Sequence, residues 1–154
     1  MKTNYSRLFA IGCICVSAML GSKTAAAQSA MAPCSLLTSA QVTAAVGVSV
    51  GAAQPIANTG CSWTAPHMIV TVSLWDGSKW DRMKTPVRGM SRTPVSGLGD
   101  DAFYTTLGSA SGNQIATLSV KKGGTVYLIK VYGPNLTDQM SMEKTLAGNV
   151  LANL

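Results

Sequence analysis

Alternating apolar and polar positions predict strands in the middle and the last third of the chain. Residues 68–75 have a period of two, with apolar Met68, Val70, Val72 and Leu74 alternating with Ile69, Thr71, Ser73 and Trp75, and a shorter β-prone segment, 61–64, precedes them. Residues 115–120 and Thr125–Tyr132 form a second pair, joined by a Gly-Gly turn that tolerates the positive φ angles of a tight hairpin. Residues 102–105 supply one more strand.

Helical signals lie at both ends of this strand-rich region. Thr38 and Gln41 have the spacing of a capping box, and Gly47 is a natural left-handed stop, so we expect a helix over Ser39–Val46. A last helix is expected over residues 138–154, since Thr137 can cap it and Met142, Leu146 and Val150 belong to an apolar stripe along it. Asp138 at its start also suits the positive end of the helix dipole.

Two weaker segments complete the pattern. Residues 79–85, which carry Trp80 and Met83, predict a helical turn that ends at Pro86, and residues 48–58 predict a loop or a weak strand. The element order is α-β-β-(α)-β-β-β-α, with no alternation of parallel units and no repeat. We therefore expect an α+β fold with an antiparallel sheet of about four to six strands and the N-terminal and C-terminal helices packed on one face.

The first residues have the pattern of an export signal. Lys2 and Arg7 precede an uncharged apolar run over residues 8–21, and Ala25-Ala26-Ala27 fits the small-x-small rule for cleavage. The run is shorter than the roughly 20 residues of a spanning helix, so we expect no membrane span after cleavage and a periplasmic or secreted protein. The predicted organisation is a signal peptide (1–27), a short leader (28–33) and a single domain (34–154).

Cleavage would change both the charge and the cysteine count. The 154-residue chain has a net charge of +6, and loss of Lys2, Arg7 and Lys23 leaves nine basic and six acidic residues, a net charge of +3. Cys34 and Cys61 are the only cysteines beyond the signal, so an oxidising compartment predicts a disulfide between them. The alternative, a reactive or metal-binding pair, lacks CxxC spacing.

Four short motifs stand out in the domain. They are a CSLLT segment opening a helix (34–38), a CSW segment opening a strand (61–63), GLGDDAFY (97–104), and a last helix rich in leucine and alanine. Together they resemble a family of small exported bacterial domains of unknown function, found among secreted proteins and lipoproteins. That family is similar to the extracellular sensor domains of mycobacterial serine/threonine kinases and to lipoproteins and photosystem-associated proteins with an α/β/α sandwich.

The resemblance covers nearly all of the mature chain. It implies a disulfide-tied antiparallel sheet that can carry a ligand cleft, and it brings no established catalytic residues. The chain departs from the lipoprotein members because the segment ending in Cys13 lies too early in the apolar run to be a lipobox. Membrane tethering through a lipid is therefore not expected.

Few residues offer catalytic chemistry. His67 is the only histidine, and no nucleophile elbow lies near it, so we interpret it as a surface or strand-edge residue. Gly97 and Gly99 lack the third glycine of a dinucleotide fingerprint. Asp100 and Asp101 are adjacent and are expected to point to opposite sides of a strand, which favours a turn-capping role for Asp100 over paired acid–base work. No catalytic residue and no cofactor are predicted.

The methionines and the cluster of basic residues suggest a metal site and a nucleic-acid surface, but each has a simpler structural interpretation. Met68 and Met142 fit the apolar faces of a strand and a helix, so core packing is favoured over a copper(I) site and no metal ligand is predicted. Five basic residues cluster between Lys79 and Arg92, but Asp76 and Asp81 interleave with them. This indicates a solvated face, and no nucleic-acid partner is expected.

Aromatic side chains on strands and on the short helix are the best candidates for a ligand cleft, the alternative being that some of them form the core. The candidate surface for a ligand or partner consists of Trp75, Trp80, Arg82, Arg88, Asp100, Phe103 and Tyr104. The predicted function is an exported, soluble, non-enzymatic domain that binds a small molecule, a cell-envelope component or a protein. A second hypothesis is an inhibitor or immunity-type protein that acts on an extracellular hydrolase through the loop 108–113 or the hairpin 121–124.

Overall fold

Residues 32–107, 115–133 and 138–154 are described by the computed structural model. The predicted signal peptide, most of the leader and the loop 108–113 lie outside them. The helices are α1 (Ser39–Val46), α2 (Trp80–Lys84) and α3 (Gln139–Ala152). The strands are β1 (Gln54–Ile56), β2 (Gly60–Ala65), β3 (Met68–Asp76), β4 (Met90–Pro94), β5 (Asp101–Leu107), β6 (Ile115–Lys122) and β7 (Thr125–Tyr132).

The strands form one antiparallel sheet in the order β1-β2-β3-β7-β6-β5-β4. The predicted α+β fold is confirmed, although the sheet has seven strands where four to six were expected. The additional strands are the two edges: β1 falls in the segment expected to be a loop or weak strand, and β4 was not predicted. Each has one neighbour and is mostly exposed, so neither needs a strongly apolar pattern.

One face of the sheet packs against α1 and α3. Alternate residues of every long strand point to this face, among them Val72, Leu118 and Ile129, and they meet Val42 of α1 and Leu146 of α3 in a single core. The two terminal helices therefore lie on the same face, as predicted. Burial of apolar area between these layers is the main contribution to stability.

Local signals explain why α1 begins and ends where it does. The hydroxyl of Thr38 accepts a hydrogen bond from the Gln41 amide, and the Gln41 side chain accepts one from the Thr38 amide. Gly47 ends the helix with a left-handed φ of 74°. The predicted capping box and helix bounds are confirmed.

A disulfide joins Cys34, in a 3-10 turn before α1, to Cys61 on β2, with the two Cα atoms 5.0 Å apart. This confirms the predicted pairing and is consistent with an exported protein. At the other end of the chain, the Asn153 side chain donates to the Leu36 carbonyl at 2.8 Å. The segment before α1 is thus held to both the sheet and α3.

A buried polar link from α3 joins β6 to β7. Backbone pairing of these strands ends at Leu118 and Ile129. Beyond that point the Val131 amide donates to Glu143 Oε1 at 2.9 Å, and the Gln139 amide nitrogen donates to the Val131 carbonyl at 2.8 Å and to Glu143 Oε1 at 3.0 Å. Side chains of α3 therefore satisfy backbone groups that a continued ladder would have paired.

Candidate functional site

The short helix α2 lies on the opposite face of the sheet from α1 and α3, where the sequence had placed no helix. Its Trp80 is buried against Phe103, with ring centroids 4.9 Å apart, and against Val126. Phe103 and Val126 each lie next to a main-core residue along their own strand. Because successive strand residues point to opposite faces, these two point away from the main core. A second, smaller apolar cluster thus forms on the second face of the sheet.

Asp101 anchors α2 to the sheet. Its Oδ2 accepts hydrogen bonds from the Trp80 indole at 3.0 Å and from Lys84 Nζ at 2.8 Å. The hydrogen bond from Lys84, with a further contribution from Trp80, lowers the pKa of this carboxyl below its usual value. Asp101 is therefore a charged acceptor at neutral pH and holds both ends of the short helix.

A cleft of about 520 Å³ opens between α2, the segment after it, and strands β3, β4 and β5. This volume is within the range of small-molecule sites. Five apolar side chains line it: Trp75, Met83, Val87, Met90 and Phe103. The remaining lining residues are Lys79, Arg82, Arg92 and Thr105, so the cleft combines apolar walls with three cationic groups.

Arg92 holds the most constrained of the three cationic groups. Its guanidinium carbon lies 5.9 Å from the centre of the Phe103 ring, a distance typical of a cation–π contact. Its Nε is buried and has no hydrogen-bond partner within the described ranges. In the same ranges the two ion pairs are Lys84–Asp101 and Lys122–Asp100, and neither includes a cation that lines the cleft.

The structure brings three of the predicted surface residues into this cleft: Trp75, Arg82 and Phe103. Trp80 is only 3% exposed, packs against Phe103 and is not one of the lining residues. Arg88 is exposed but is not one of the lining residues.

Tyr104 corrects the predicted surface. Its side chain is fully buried in the main core, because it follows Phe103 in β5 and therefore points to the opposite face. The phenol donates a hydrogen bond to the Met140 carbonyl of α3. Burial and the nearby carboxylate of Glu143 raise the pKa of Tyr104.

Asp100 lies away from the cleft, at the turn between β6 and β7. Its carboxylate accepts hydrogen bonds from the Gly123 amide at 2.6 Å and from Lys122 at 3.0 Å, which lower its pKa. This is the geometry expected of a turn-capping residue. Asp100 and Asp101 bind different elements and do not form a carboxylate pair.

Sequence reasoning missed Arg92 as a cleft residue and placed it only in the basic cluster. It also missed the neighbouring apolar residues Met83, Val87 and Met90 as parts of one surface. Met90 and Arg92 are two residues apart, which would put them on the same side of a strand, but residues 90–94 have no apolar–polar alternation that predicts one. Without the pairing of β4 to β5, nothing linked that side to Phe103.

The single histidine, His67, is exposed in the turn between β2 and β3, at the end of β3 opposite Trp75. Among the described residues no group of three or more histidine, cysteine or acidic side chains is arranged to hold a metal ion. The parts of the chain that the structure covers also contain no helix with the length and apolarity needed to cross a membrane.

No protein-family model, curated protein or solved structure matches this chain. The cleft must therefore be interpreted from its own geometry and chemistry.

Proposed function

We propose that this protein is an exported, non-enzymatic domain that binds a small molecule in the cleft beside α2, in the periplasm or in the extracellular medium. The observation that carries the proposal is the cleft itself, about 520 Å³ in volume, with apolar walls and a few polar groups at defined positions. This combination is the general pattern of ligand sites in proteins. The disulfide and the predicted signal peptide support export.

The residues that line the cleft favour binding over catalysis. They include no histidine, cysteine, aspartate or glutamate. His67 lies at the far end of β3, and the carboxylate of Asp101 is engaged by Trp80 and Lys84. A general acid–base pair within hydrogen-bond reach of a bound molecule is thus not part of the lining.

Cleft-filling variants test this proposal. Thr105→Trp adds a large side chain to the cleft, and Thr71→Trp makes the same change on the same face of the sheet at a residue that does not line it. Binding of 1-anilinonaphthalene-8-sulfonate and of N-phenyl-1-naphthylamine is followed by fluorescence. We expect Thr105→Trp to abolish saturable binding and Thr71→Trp to retain it.

Two results would contradict the proposal: no saturable binding of either probe to the parent protein, or binding that Thr105→Trp leaves unchanged. Circular dichroism and denaturant unfolding show that each variant is folded. Native mass spectrometry of protein isolated from its own host then gives the mass of any molecule that is retained.

A further inference from the structure

We infer that the cleft selects organic anions: small molecules with one acidic head group, such as a carboxylate or sulfonate, on an apolar body. This inference rests on the proposed function, since it specifies the chemistry of the ligand for the same cleft. It is carried by the position of Arg92, whose charge neither ion pair of the described ranges engages, by the two further cations, and by the absence of acidic side chains from the lining.

Arg92 is placed to bind an acidic head group. One face of its guanidinium lies over Phe103, and the Nε is shielded from water without an acceptor within the described ranges. The Nε itself is as closed to a ligand oxygen as it is to water, but Arg92 lines the cleft and neither ion pair in the described ranges includes it, so its positive charge is available to an anion in the cleft. A guanidinium also presents its donors in a planar fork that matches a carboxylate or sulfonate.

Asp76, Asp81 and Asp101 are the acidic residues of the elements beside the cleft, and none of them is a lining residue. Asp101 accepts from Trp80 and Lys84, and Asp76 accepts from the Ser78 amide at 2.7 Å. Lys79 and Arg82 line the cleft alongside Arg92, so all the charged groups in the lining are positive. Electrostatic complementarity therefore favours an anion over a neutral or cationic ligand.

The rest of the lining specifies an apolar body. Trp75 is 47% exposed, an unusual position for a large aromatic side chain, and the exposed side chains of Val87 and Met90 continue the apolar surface. A hydrated inorganic anion would leave these side chains in contact with water. A molecule with an aromatic or aliphatic body covers them and gains the hydrophobic contribution.

A matched pair of probes tests the choice of charge. The sulfonate 1-anilinonaphthalene-8-sulfonate and the neutral N-phenyl-1-naphthylamine share the same ring system and differ in the acidic group. We expect the sulfonate to bind the parent protein about tenfold or more tightly, as a charge-assisted hydrogen bond would give. Sodium decanoate should displace it, whereas sodium acetate and inorganic phosphate at the same concentration should not.

Variants assign the effect to the cleft. Arg92→Met should weaken sulfonate binding by about tenfold or more and leave the neutral probe nearly unchanged. Arg88→Met is the matched control, because it removes an exposed arginine that does not line the cleft, and it should change neither affinity by more than about twofold. If Arg92→Met does not fold, Arg82→Met provides the same comparison with an exposed lining residue.

The outcomes separate the two proposals. Equal affinity for the two probes, or sulfonate binding that Arg92→Met and Arg82→Met leave intact, overturns selection for anions while binding in the cleft stands. Displacement by phosphate as effective as that by decanoate overturns the role assigned to the apolar body. No binding of either probe overturns both the selectivity and the proposed function.

Discussion

Replacing Glu143 by glutamine should remove a pH dependence of stability that originates in the core. Glu143 is fully buried on α3, where its Oε1 accepts from the Val131 amide and from Gln139, while its Oε2 has no partner within the described ranges. Burial raises the pKa of Glu143 to about 7, against the opposing effect of those hydrogen bonds and of the Lys130 charge. The other ionisable group facing it is the phenol of Tyr104.

The direction of the effect follows from proton binding. Between about pH 4.5 and pH 7 the folded protein retains the Glu143 proton that the unfolded chain has released, so stability falls as the pH rises. The stability that the folded protein gains by holding this proton is fully present below pH 4.5 and is lost as the pH rises through about 7. A shift of this size corresponds to roughly 3 kcal/mol in the free energy of unfolding.

The assay is denaturant unfolding of the parent and of Glu143→Gln at intervals from pH 4 to pH 8. Glutamine keeps an oxygen acceptor for the Val131 amide and cannot ionise. The free energy of unfolding of the variant, relative to that of the parent, should therefore rise by roughly 3 kcal/mol from the acid to the alkaline end of this range. Asp138→Asn, which removes an exposed acidic residue from the start of the same helix, is the control. Parallel pH profiles for the parent and Glu143→Gln would refute the reasoning.

Three further changes can be followed by the same unfolding measurement. Gly99→Ala should lower the free energy of unfolding by about 2 to 4 kcal/mol, because φ is +58° and a Cβ would overlap a backbone carbonyl of β6. Gly123→Ala is the control: its φ is +57° but the space around it is open, so the loss should be about 1 to 2 kcal/mol. Equal losses for the two variants would contradict the steric argument. Removing both Cys34 and Cys61 should cost about 3 to 4 kcal/mol, since the disulfide closes a separation of 27 residues, and a loss below about 1 would contradict this. Asp101→Ala should cost about 1 to 2 kcal/mol and shift tryptophan emission to the red as α2 loosens; an unchanged emission maximum would count against the anchoring role.

The elements that sequence predicted with the right bounds are those with both a periodic pattern and signals at their ends. Helix α1 has its capping box and Gly47, and β7 runs from Thr125 to Tyr132 between a Gly-Gly turn and Gly133. Strand β4 has neither a periodic pattern nor end signals. Its polar residues are tolerated because the strand lies at an exposed edge of the sheet, and its Pro94 is unusual in a strand. Its existence depends on pairing with β5, which no local pattern reveals.

Glu143 shows a signal that was present and was not used. It lies three, four and seven residues before Leu146, Ala147 and Val150, the spacing of one helix face, and all four residues are buried. An acidic residue on an apolar stripe indicates either an internal partner or an altered pKa. The partner, an unpaired amide on β7, could be found only from the tertiary structure.

The position of the cleft follows from how little of the second sheet face is covered. Helix α2 has five residues, and its one buried side chain, Trp80, forms a small cluster with Phe103 and Val126, against which Met83 and Leu128 are partly buried. Strand β3 continues beyond this cover with Thr71 and Ser73, whose polar side chains tolerate water on that face. The cleft lies at the boundary between the covered and open parts of the face, where Trp75 is left half exposed beside α2. Sequence alternation alone could show that Phe103 and Tyr104 face opposite sides; which of them borders the cleft depended on the side where α2 packs.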